Sequence, residues 1–421
     1  MSEPDQGVLI YVNVRRTHLE QRAEILAAHR QGYGVVLIAD QPPTDLPAHV
    51  VRAVHQLDTF DDAALDAAVE AIAAEHTVAG IVTWSDPAVA SVSRIAAERG
   101  LPACTVAAAQ VSRNKYLMRR SLAHRPDLIP RFARVTTWEE AAAAAPAIGY
   151  PLVLKPVSGN GSKGIYTVRD EQQLRPAFEQ LSAYVRPERD RVFTGHAGEI
   201  MIEQFLDGTE HSVEGWVHRG EVFIAGVTDK VTTPDYHLET GHVFPSALAA
   251  DRLTSVHELT HAVVGAFGLD DCAFHLECMV GPDGSAKLVE CAARGGGDFI
   301  TSHLVGLATG VPFCENTVRV ATGRPPVQGG RPVLYAGLAK VLAQQAGTLR
   351  SIDGLEDALR VAGVEHITID RAPGQTVDVP PADFVSGHIL SVMATGDSHG
   401  AVRDTLEAAT KAISTRIIHG A

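Results

Sequence analysis

The chain has 421 residues, of which 45% are hydrophobic and 20% charged, a composition typical of a globular protein with two or three domains. Its formal net charge of −14 disfavours nucleic acid as a partner, because binding phosphate backbones requires a basic surface. No apolar run approaches the length of a membrane span, and the acidic start lacks a signal-peptide pattern. We therefore expect a cytoplasmic protein with no membrane partner.

The first part of the chain alternates between apolar segments and helical patterns. The predicted strands lie in GVLIYVNV, GVVLIAD and VAGIVTW, and the predicted helices span 19–29, 63–75 and 87–99. Such alternation predicts a parallel sheet covered by helices. We assign residues 1–106 to this N-terminal α/β domain.

The rest of the chain has the pattern of two α+β domains. Residues 107–322 contain turn signals at Asp207-Gly208 and Asp283-Gly284, each between two apolar stretches, which predicts hairpins. A proline and glycine cluster then indicates a linker into a small domain, residues 323–421, with strands in HITID and HILSVMATGD and a helix over 401–417. The predicted fold class is therefore multidomain, α/β followed by α+β.

A glycine-rich loop follows the apolar strand that ends at Lys155. Its small residues let a backbone approach an anion closely, and its hydroxyl and ammonium groups add donors, so the loop predicts a polyphosphate site. The loop residues in question are Ser158, Gly159, Gly161, Ser162, Lys163 and Gly164. Neither a Gly-Lys-Ser/Thr triplet nor a dinucleotide-fold pattern is present, and the loop alone is equally compatible with an ordinary turn.

Two glutamates flank the predicted Asp283-Gly284 hairpin. Counting outward from a two-residue turn places Glu277 directly opposite Glu290, where two like charges destabilise the pairing unless something compensates. A magnesium ion shared with phosphates would compensate, whereas a solvated hairpin face offset by nearby cations is the alternative. Alternation predicts that one face carries His275, Glu277, Met279, Leu288, Glu290, Ala292 and Arg294.

Further candidates lie on either side of this pair. Arg294 precedes Gly295, Gly296 and Gly297, a run suited to binding developing negative charge, although a surface arginine in a loop has the same pattern. The Asp207-Gly208 turn predicts a second hairpin with Glu203 and Glu210 flanking its bend.

One motif points to different chemistry. His257 and His261 form a literal HExxH, the signature of zinc proteases, within a predicted helix. The apolar stripe of this helix leaves both histidines on its flank, and no downstream residue has the spacing of a third zincin ligand. A zinc hydrolase is therefore the less favoured hypothesis.

Taken in order, several of these residues resemble a known superfamily. Lys115 in SRNKYLMRRSL, Lys155 before SGNGSKG, Glu203-Gln204-Phe205, Glu210, Glu277 and Glu290-Cys-Ala-Ala-Arg294 have the order and spacing of ATP-grasp enzymes. Within that superfamily the chain resembles the carboxylate–amine ligases, particularly the L-amino-acid ligases that make dipeptides. The resemblance implies an ATP-grasp fold in which the N-terminal domain precedes the nucleotide-binding region, and often a homodimer.

The resemblance also implies roles for these residues. ATP and Mg²⁺ or Mn²⁺ are the implied cofactors, and a carboxylate and an amine, both small molecules, are the implied substrates. Lys115 and Lys155 would hold phosphates, Glu203 and Phe205 would contact adenine, and Glu210 would bind ribose. Glu277 and Glu290 would bind the metal, and the glycine loop would close over the γ-phosphate. Arg294 would stabilise the tetrahedral intermediate, and the substrate pocket would be lined by Glu239, His242, Gly296, Gly297 and Asp298.

Two positions depart from the superfamily pattern. Ala292 stands where many members have a metal-ligating asparagine, and Asp298 stands where a dipeptide ligase has a bulky aromatic residue. The alternatives to an amino-acid ligase are a biotin-carboxylase-like or purine-pathway carboxylation enzyme and a non-catalytic ATP-binding module.

Overall fold

A computed structural model describes residues 7–329 and 332–418 of the chain. The N-terminal part is a parallel sheet with the order β3-β2-β1-β4. Strands β1 and β2 are buried at every position, which explains their continuous apolar sequence. The elements are β1 (Val8–Val12), α1 (His18–Arg30), β2 (Gly34–Ala39), β3 (Val51–Gln56), α2 (Asp62–Glu75), β4 (Val78–Val82) and α3 (Val89–Glu98).

Two short helices lead into a smaller antiparallel sheet with the order β5-β8-β6-β7. The second helix begins at Lys115, because the Asn114 side chain caps the backbone N–H groups of the next turn. These elements are α4 (Val106–Val111), α5 (Lys115–Ser121), β5 (Phe132–Val135), α6 (Trp138–Ile148), β6 (Leu152–Pro156), β7 (Tyr166–Val168), α7 (Glu171–Tyr184) and β8 (Ile200–Gln204). We call this sheet with α6 and α7 the lid.

A larger sheet lies opposite the lid, and a cavity separates the two. Its elements are β9 (Thr209–His218), β10 (Glu221–Thr232), β11 (Glu239–Phe244), α8 (Ala250–Phe267), β12 (Cys272–Val280), β13 (Ala286–Ala292), a π-helical turn (Ile300–Leu304), α9 (Val305–Thr309), α10 (Phe313–Ala321) and β14 (Tyr335–Leu342). Helix α8 packs its apolar face on β12 and β13 and ends at Gly268 in a left-handed conformation.

The large sheet continues into the C-terminal part. The remaining elements are β15 (Gly347–Asp353), α11 (Leu355–Leu359), β16 (Val364–Ile369), β17 (Thr376–Val377), β18 (His388–Gly396), α12 (His399–Ala412) and β19 (Ser414–Ile418). The order of the large sheet is β13-β12-β9-β10-β11-β14-β18-β16, so strands from both sides of the predicted boundary at residue 323 share one hydrogen-bonded sheet. The expected helix over 401–417 ends at Ala412, and the chain turns back as a strand beside β15.

The predicted hairpin at Asp207-Gly208 is wrong. Strand β8 before this turn belongs to the lid sheet, whereas β9 after it pairs with β10 and β12 in the large sheet. Gly208 has φ +138° and passes so close to β12 that a Cβ atom would lie 2.2 Å from the Val280 carbonyl oxygen. The glycine thus marks a tight crossing between two sheets.

One aromatic residue of the C-terminal part is inserted into the lid. Phe384 is buried, and its ring centroid lies 6.5, 5.4 and 5.9 Å from those of Tyr166, Tyr184 and Tyr236. These edge-on contacts join the core of the lid to the segment between β17 and β18. Among the residues described, no helix combines the length and apolar character needed to cross a bilayer.

Candidate active site

A cavity of roughly 550 Å³ lies between the lid and the large sheet. Its volume is in the range usual for sites that bind small organic molecules. The sequence-predicted polar, charged and loop residues that line it are Lys115, Lys155, Gly159, Gly161, Ser162, Lys163, Glu203, Phe205, Glu210, Glu239, Glu277 and Glu290. Residues distant in the sequence are therefore brought to one site.

Lys155 and Glu203 form the core of a buried charge cluster on the lid side. Lys155 Nζ lies 2.5 Å from Glu203 Oε2, and Arg119 Nε lies 2.8 Å from Glu203 Oε1. Burial would raise the pKa of Glu203, but Arg119 and Lys155 bring it below its usual value. Glu203 thus fixes two cations beside the cavity, and its predicted adenine contact stays a prediction.

Part of the glycine loop faces the cavity and part anchors the loop. Ser162 Oγ donates to the His237 carbonyl oxygen at 2.7 Å, and Lys163 is ion-paired with Asp190. Ser158 is buried, and its Oγ donates to the Val192 carbonyl oxygen at 3.2 Å. Gly164 packs against α7 instead of lining the cavity. The loop therefore presents Gly159, Gly161, Ser162 and Lys163 to the cavity, while Ser158 and Gly164 attach it to the lid.

Glu277 and Glu290 are paired across β12 and β13, as the sequence predicts. The turn is longer than the two residues from which we counted, because it spans residues 281–285. A bulge at Val289 shifts the pairing by one residue and so restores the predicted alignment. Leu288 pairs with Cys278, and its buried side chain belongs to the apolar core while also lining the cavity next to Glu290.

Each carboxylate of this pair already has a protein cation. Lys230 Nζ lies 2.6 Å from Glu277 Oε1, and Lys115 Nζ lies 2.6 Å from Glu290 Oε2. The charge compensation that we expected from a metal is therefore supplied in part by two lysines. In the described chain, no hydrogen bond reaches Glu277 Oε2 or Glu290 Oε1. These two free oxygens fit a hard divalent cation that takes its other ligands from phosphates and water.

Lys230 is a site residue that the sequence analysis missed. Its ammonium lies 2.8, 2.7 and 2.6 Å from carboxylate oxygens of Glu210, Glu239 and Glu277, and its side chain is 1% exposed. Burial lowers the pKa of Lys230, but the three glutamates raise it well above its usual value. The sequence signal that could have identified Lys230 is a lysine at an inward-facing position of a strand, β10.

A buried histidine completes the surroundings of Glu277. His275 Nδ1 lies 2.5 Å from Glu214 Oε1, and its Nε2 lies 3.1 Å from Glu277 Oε1. Burial opposes its protonation, yet Glu214 and Glu277 raise the pKa of His275 to about 10. Burial would raise the pKa of Glu277, and Lys230 together with His275 lowers it to about 2. Glu277 is thus ionised throughout the neutral range.

Arg294 and its glycines lie where β13 leaves the large sheet. The Arg294 side chain is 10% exposed, and its Nε donates to Asp86 Oδ1 at 3.1 Å. Gly296 does not provide a free amide for an anion, because its N–H donates to Glu214 Oε2 at 2.9 Å. A Cβ atom at Gly296 would lie 2.5 Å from Glu214 Oε1, which explains the need for glycine there.

A second polar cluster borders the site near Arg294. Asp298 Oδ2 lies 3.1 Å from His242 Nε2 and 2.5 Å from Lys340 Nζ, and Glu239 Oε2 lies 3.6 Å from the same His242 nitrogen. Glu239 therefore contacts both this cluster and Lys230. Asp298 has φ +52°, a strained conformation of the kind found at functional sites.

The HExxH motif does not assemble a zinc site. His257 and His261 lie on α8, and in the part of the chain that the structure describes neither belongs to a group of three potential metal ligands. A group of three potential ligands is formed instead by Glu239, His242 and Asp298. Asp298 in this group is already paired with Lys340. The histidine pair is therefore a feature of the helix flank.

We expect His261→Ala to leave ATP-dependent activity within about twofold of the unmodified protein, because the side chain lies outside the cavity. Metal analysis of purified protein should find no stoichiometric zinc in either form. Stoichiometric zinc that is lost in His261→Ala would contradict this assignment.

Comparison with known proteins adds independent evidence. Residues 25–103 match the model for the ATP-grasp N-terminal domain, residues 148–303 the ATP-grasp domain, and residues 340–417 the L-amino acid ligase C-terminal domain 2. The fold is similar to the crystal structure of an L-amino acid ligase from Bacillus licheniformis, with a TM-score of 0.86 at 24% identity, covering 98% of this chain and 99% of that one.

Sequence similarity extends to curated proteins. The chain is 25% identical over 397 residues to the uncharacterized protein y4rH of Sinorhizobium fredii, covering 93% of this chain and 80% of that protein. It is 28% identical over 236 residues to alanine–anticapsin ligase of Bacillus subtilis, covering 53% of this chain and 50% of that protein. The three domain matches show that the chain belongs to the ATP-grasp superfamily, with a C-terminal part similar to that of the L-amino-acid ligases.

Proposed function

We propose that this enzyme uses ATP to couple the carboxylate of an amino acid, or of a similar acid, to an amine that is most simply a second amino acid. The observation that carries the proposal is the convergence of cationic, glycine-loop and carboxylate groups in one cavity. Lysines, the glycine loop, the Glu277–Glu290 pair and Glu239 line this cavity, Glu239 also contacts His242, and Arg294 follows β13, the strand that carries Glu290. Phosphate donor and acceptor would meet beside the carboxylate pair.

The proposed reaction has two steps. A substrate carboxylate oxygen attacks the γ-phosphorus of ATP, the bond to the β-phosphate oxygen breaks, and ADP leaves an acyl phosphate. The neutral amine then attacks the acyl carbon, and the tetrahedral intermediate breaks its C–O bond to phosphate. The nitrogen loses a proton, the departing phosphate takes it up, and an amide remains. A C–N bond is thus formed at the expense of one phosphoanhydride bond.

The chain's own groups have distinct roles in these steps. Lys115 and Lys155 neutralise the phosphates, and Arg294 faces the negative charge that develops on the acyl oxygen. Mg²⁺ or Mn²⁺ held by Glu277 and Glu290 would neutralise phosphate charge when bound. The polar residues Glu239 and Asp298 would bind the ammonium or amine of a substrate.

A substrate screen tests this function. The enzyme is incubated with Mg²⁺, ATP and pairs of amino acids while phosphate release and product mass are measured, and hydroxylamine is added in a parallel series to trap acyl phosphate as a hydroxamate. We expect ADP, phosphate and a dipeptide mass for at least one pair. AMP and pyrophosphate as products would contradict the mechanism.

Two further outcomes would favour other functions. ATP consumption that depends on bicarbonate and not on an amine would indicate a carboxylation enzyme. ATP binding without turnover under every condition would indicate a binding module. A homodimer and a cytoplasmic location stay predictions from the sequence.

A further inference from the structure

The N-terminal sheet contacts the Arg294 segment through two loops. Asp86 follows β4 and Arg15 follows β1, and these strands are parallel neighbours, so both residues emerge at the same edge of the sheet. The carboxyl ends of such strands are common places for functional groups. We propose, on the basis of the proposed function, that Asp86 is a positioning residue that orients the Arg294 guanidinium toward the reacting acyl group.

The hydrogen bonds of Arg294 leave one nitrogen available. Its Nε donates to Asp86 Oδ1 at 3.1 Å and its Nη1 to the Gly295 carbonyl oxygen at 2.9 Å. Within the described residues, no hydrogen bond joins its Nη2 to the protein. Because a guanidinium is planar, fixing Nε and Nη1 also fixes the direction of Nη2. Asp86 therefore determines where the unpaired donor points.

A second arginine keeps Asp86 from neutralising this donor. Asp86 Oδ2 is ion-paired with Arg113, whose side chain is 14% exposed, and Asp86 itself is 8% exposed. Burial and the nearby Arg294 lower the pKa of Arg113 to about 10, which still leaves it cationic at neutral pH. Two guanidinium groups share the Asp86 carboxylate, so Asp86 by itself does not neutralise both of them. Asp86 thus supplies orientation while positive charge remains available to a developing oxyanion.

Arg15 fixes the backbone that follows Arg294. Its Nη2 donates to the carbonyl oxygens of Gly295 at 2.5 Å and Gly296 at 2.9 Å. A Cβ atom at Gly297 would lie 2.6 Å from Arg15 Nη1, so a larger residue would displace this contact. The N-terminal sheet therefore holds both the side chain of Arg294 and the main chain beside it.

The loop that carries Asp86 is itself anchored. Thr83 Oγ1 donates to the Val12 carbonyl oxygen at 2.7 Å, and the Ser85 N–H donates to Thr83 Oγ1 at 3.0 Å. These bonds join the ends of β4 and β1. A rigid mount of this kind is what a positioning residue requires, because orientation errors of about 1 Å reduce catalysis strongly.

A double-mutant cycle in the full chain tests whether Asp86 acts through Arg294. Asp86→Ala should lower kcat for amide formation about 10–100-fold, the range typical of residues that orient a functional group, with ATP affinity unchanged. In an Arg294→Ala background the same change should cost less than about twofold, because the residue it positions is absent. Asp86→Asn retains an oxygen acceptor for Nε and should recover part of the rate. Asp66→Ala, which removes an aspartate paired with Arg94 at 2.8 Å on the outside of the same domain, should leave kcat unchanged.

A measurement that does not need turnover separates this inference from the proposed function. In protein labelled with ¹⁵N at arginine Nε, the Arg294 Nε–H signal, assigned by its loss in Arg294→Ala, should exchange slowly with water and should exchange fast in Asp86→Ala. An unchanged signal in a folded Asp86→Ala variant would overturn the positioning role, as would additive rate losses in the cycle. A wild-type enzyme without amine-dependent turnover would overturn the proposed function alone, since the NMR result still decides whether Asp86 holds Arg294.

Discussion

Glu290→Gln should lower ATP-dependent turnover about a thousandfold, because the change removes one of the two carboxylates proposed to hold the metal and such a metal contributes several kcal/mol to the transition state. Glutamine retains an oxygen for the contact that Lys115 Nζ makes with Glu290 Oε2 at 2.6 Å. The free energy of unfolding should therefore change by about 1 kcal/mol or less. Steady-state kinetics over a range of Mg²⁺ concentrations and urea unfolding measure the two quantities.

The control for this prediction is Glu258→Gln on α8, which lies outside the cavity and should leave kcat unchanged. A Glu290→Gln enzyme with normal kcat and normal Mg²⁺ dependence would remove Glu290 from the proposed metal site. A large loss of stability would show instead that the Lys115–Glu290 pair is needed for folding.

Lys230→Met should destabilise the folded protein by about 3 kcal/mol at neutral pH, because it leaves three partly buried carboxylates without their shared cation. Burial alone raises the pKa of Glu277, and Lys230 is the main group that brings it down to about 2. In the unmodified protein, this lowered pKa contributes stability above the unfolded value of about 4.3, and that contribution is lost as the pH falls toward 2.

The loss of folding stability in Lys230→Met should therefore depend on pH. Without the ammonium the carboxylates bind protons more readily, so the difference in unfolding free energy from the unmodified protein should shrink between pH 7.5 and pH 4.5. Urea unfolding at both pH values measures it. Lys411→Met, which breaks an exposed pair with Glu407, should cost less than about 0.5 kcal/mol. An equal loss at the two pH values would contradict the role given to Lys230.

The sequence predicted local patterns better than distant contacts. The opposition of Glu277 and Glu290 could be counted from a turn, although the turn length and the bulge at Val289 were both missed and their effects cancelled. The Asp207-Gly208 turn has an equally clear local pattern, yet no local signal states which sheet the next strand joins. Strand β3 was missed because its alternating, half-exposed edge sequence resembles a loop.

The surroundings of the candidate site depended on such distant contacts. Lys230 meets its three glutamates only after β9, β10, β11 and β12 are aligned in one sheet. Asp86 and Arg294 are separated by more than two hundred residues, and no periodicity connects them. Residue types and spacing thus indicated the chemistry, while the partners that tune each group required the assembled fold.

The position of Phe384 has a consequence for exchanging parts between related enzymes. Its ring fills a space between Tyr166, Tyr184 and Tyr236, so the C-terminal part supplies a piece of the lid's own core. A chimera that joined this C-terminal part to an ATP-grasp domain without the tyrosine recess would leave the Phe384 ring without its packing partners. An exchange of domains should therefore keep the three tyrosines together with the segment between β17 and β18, although they lie on opposite sides of the domain boundary.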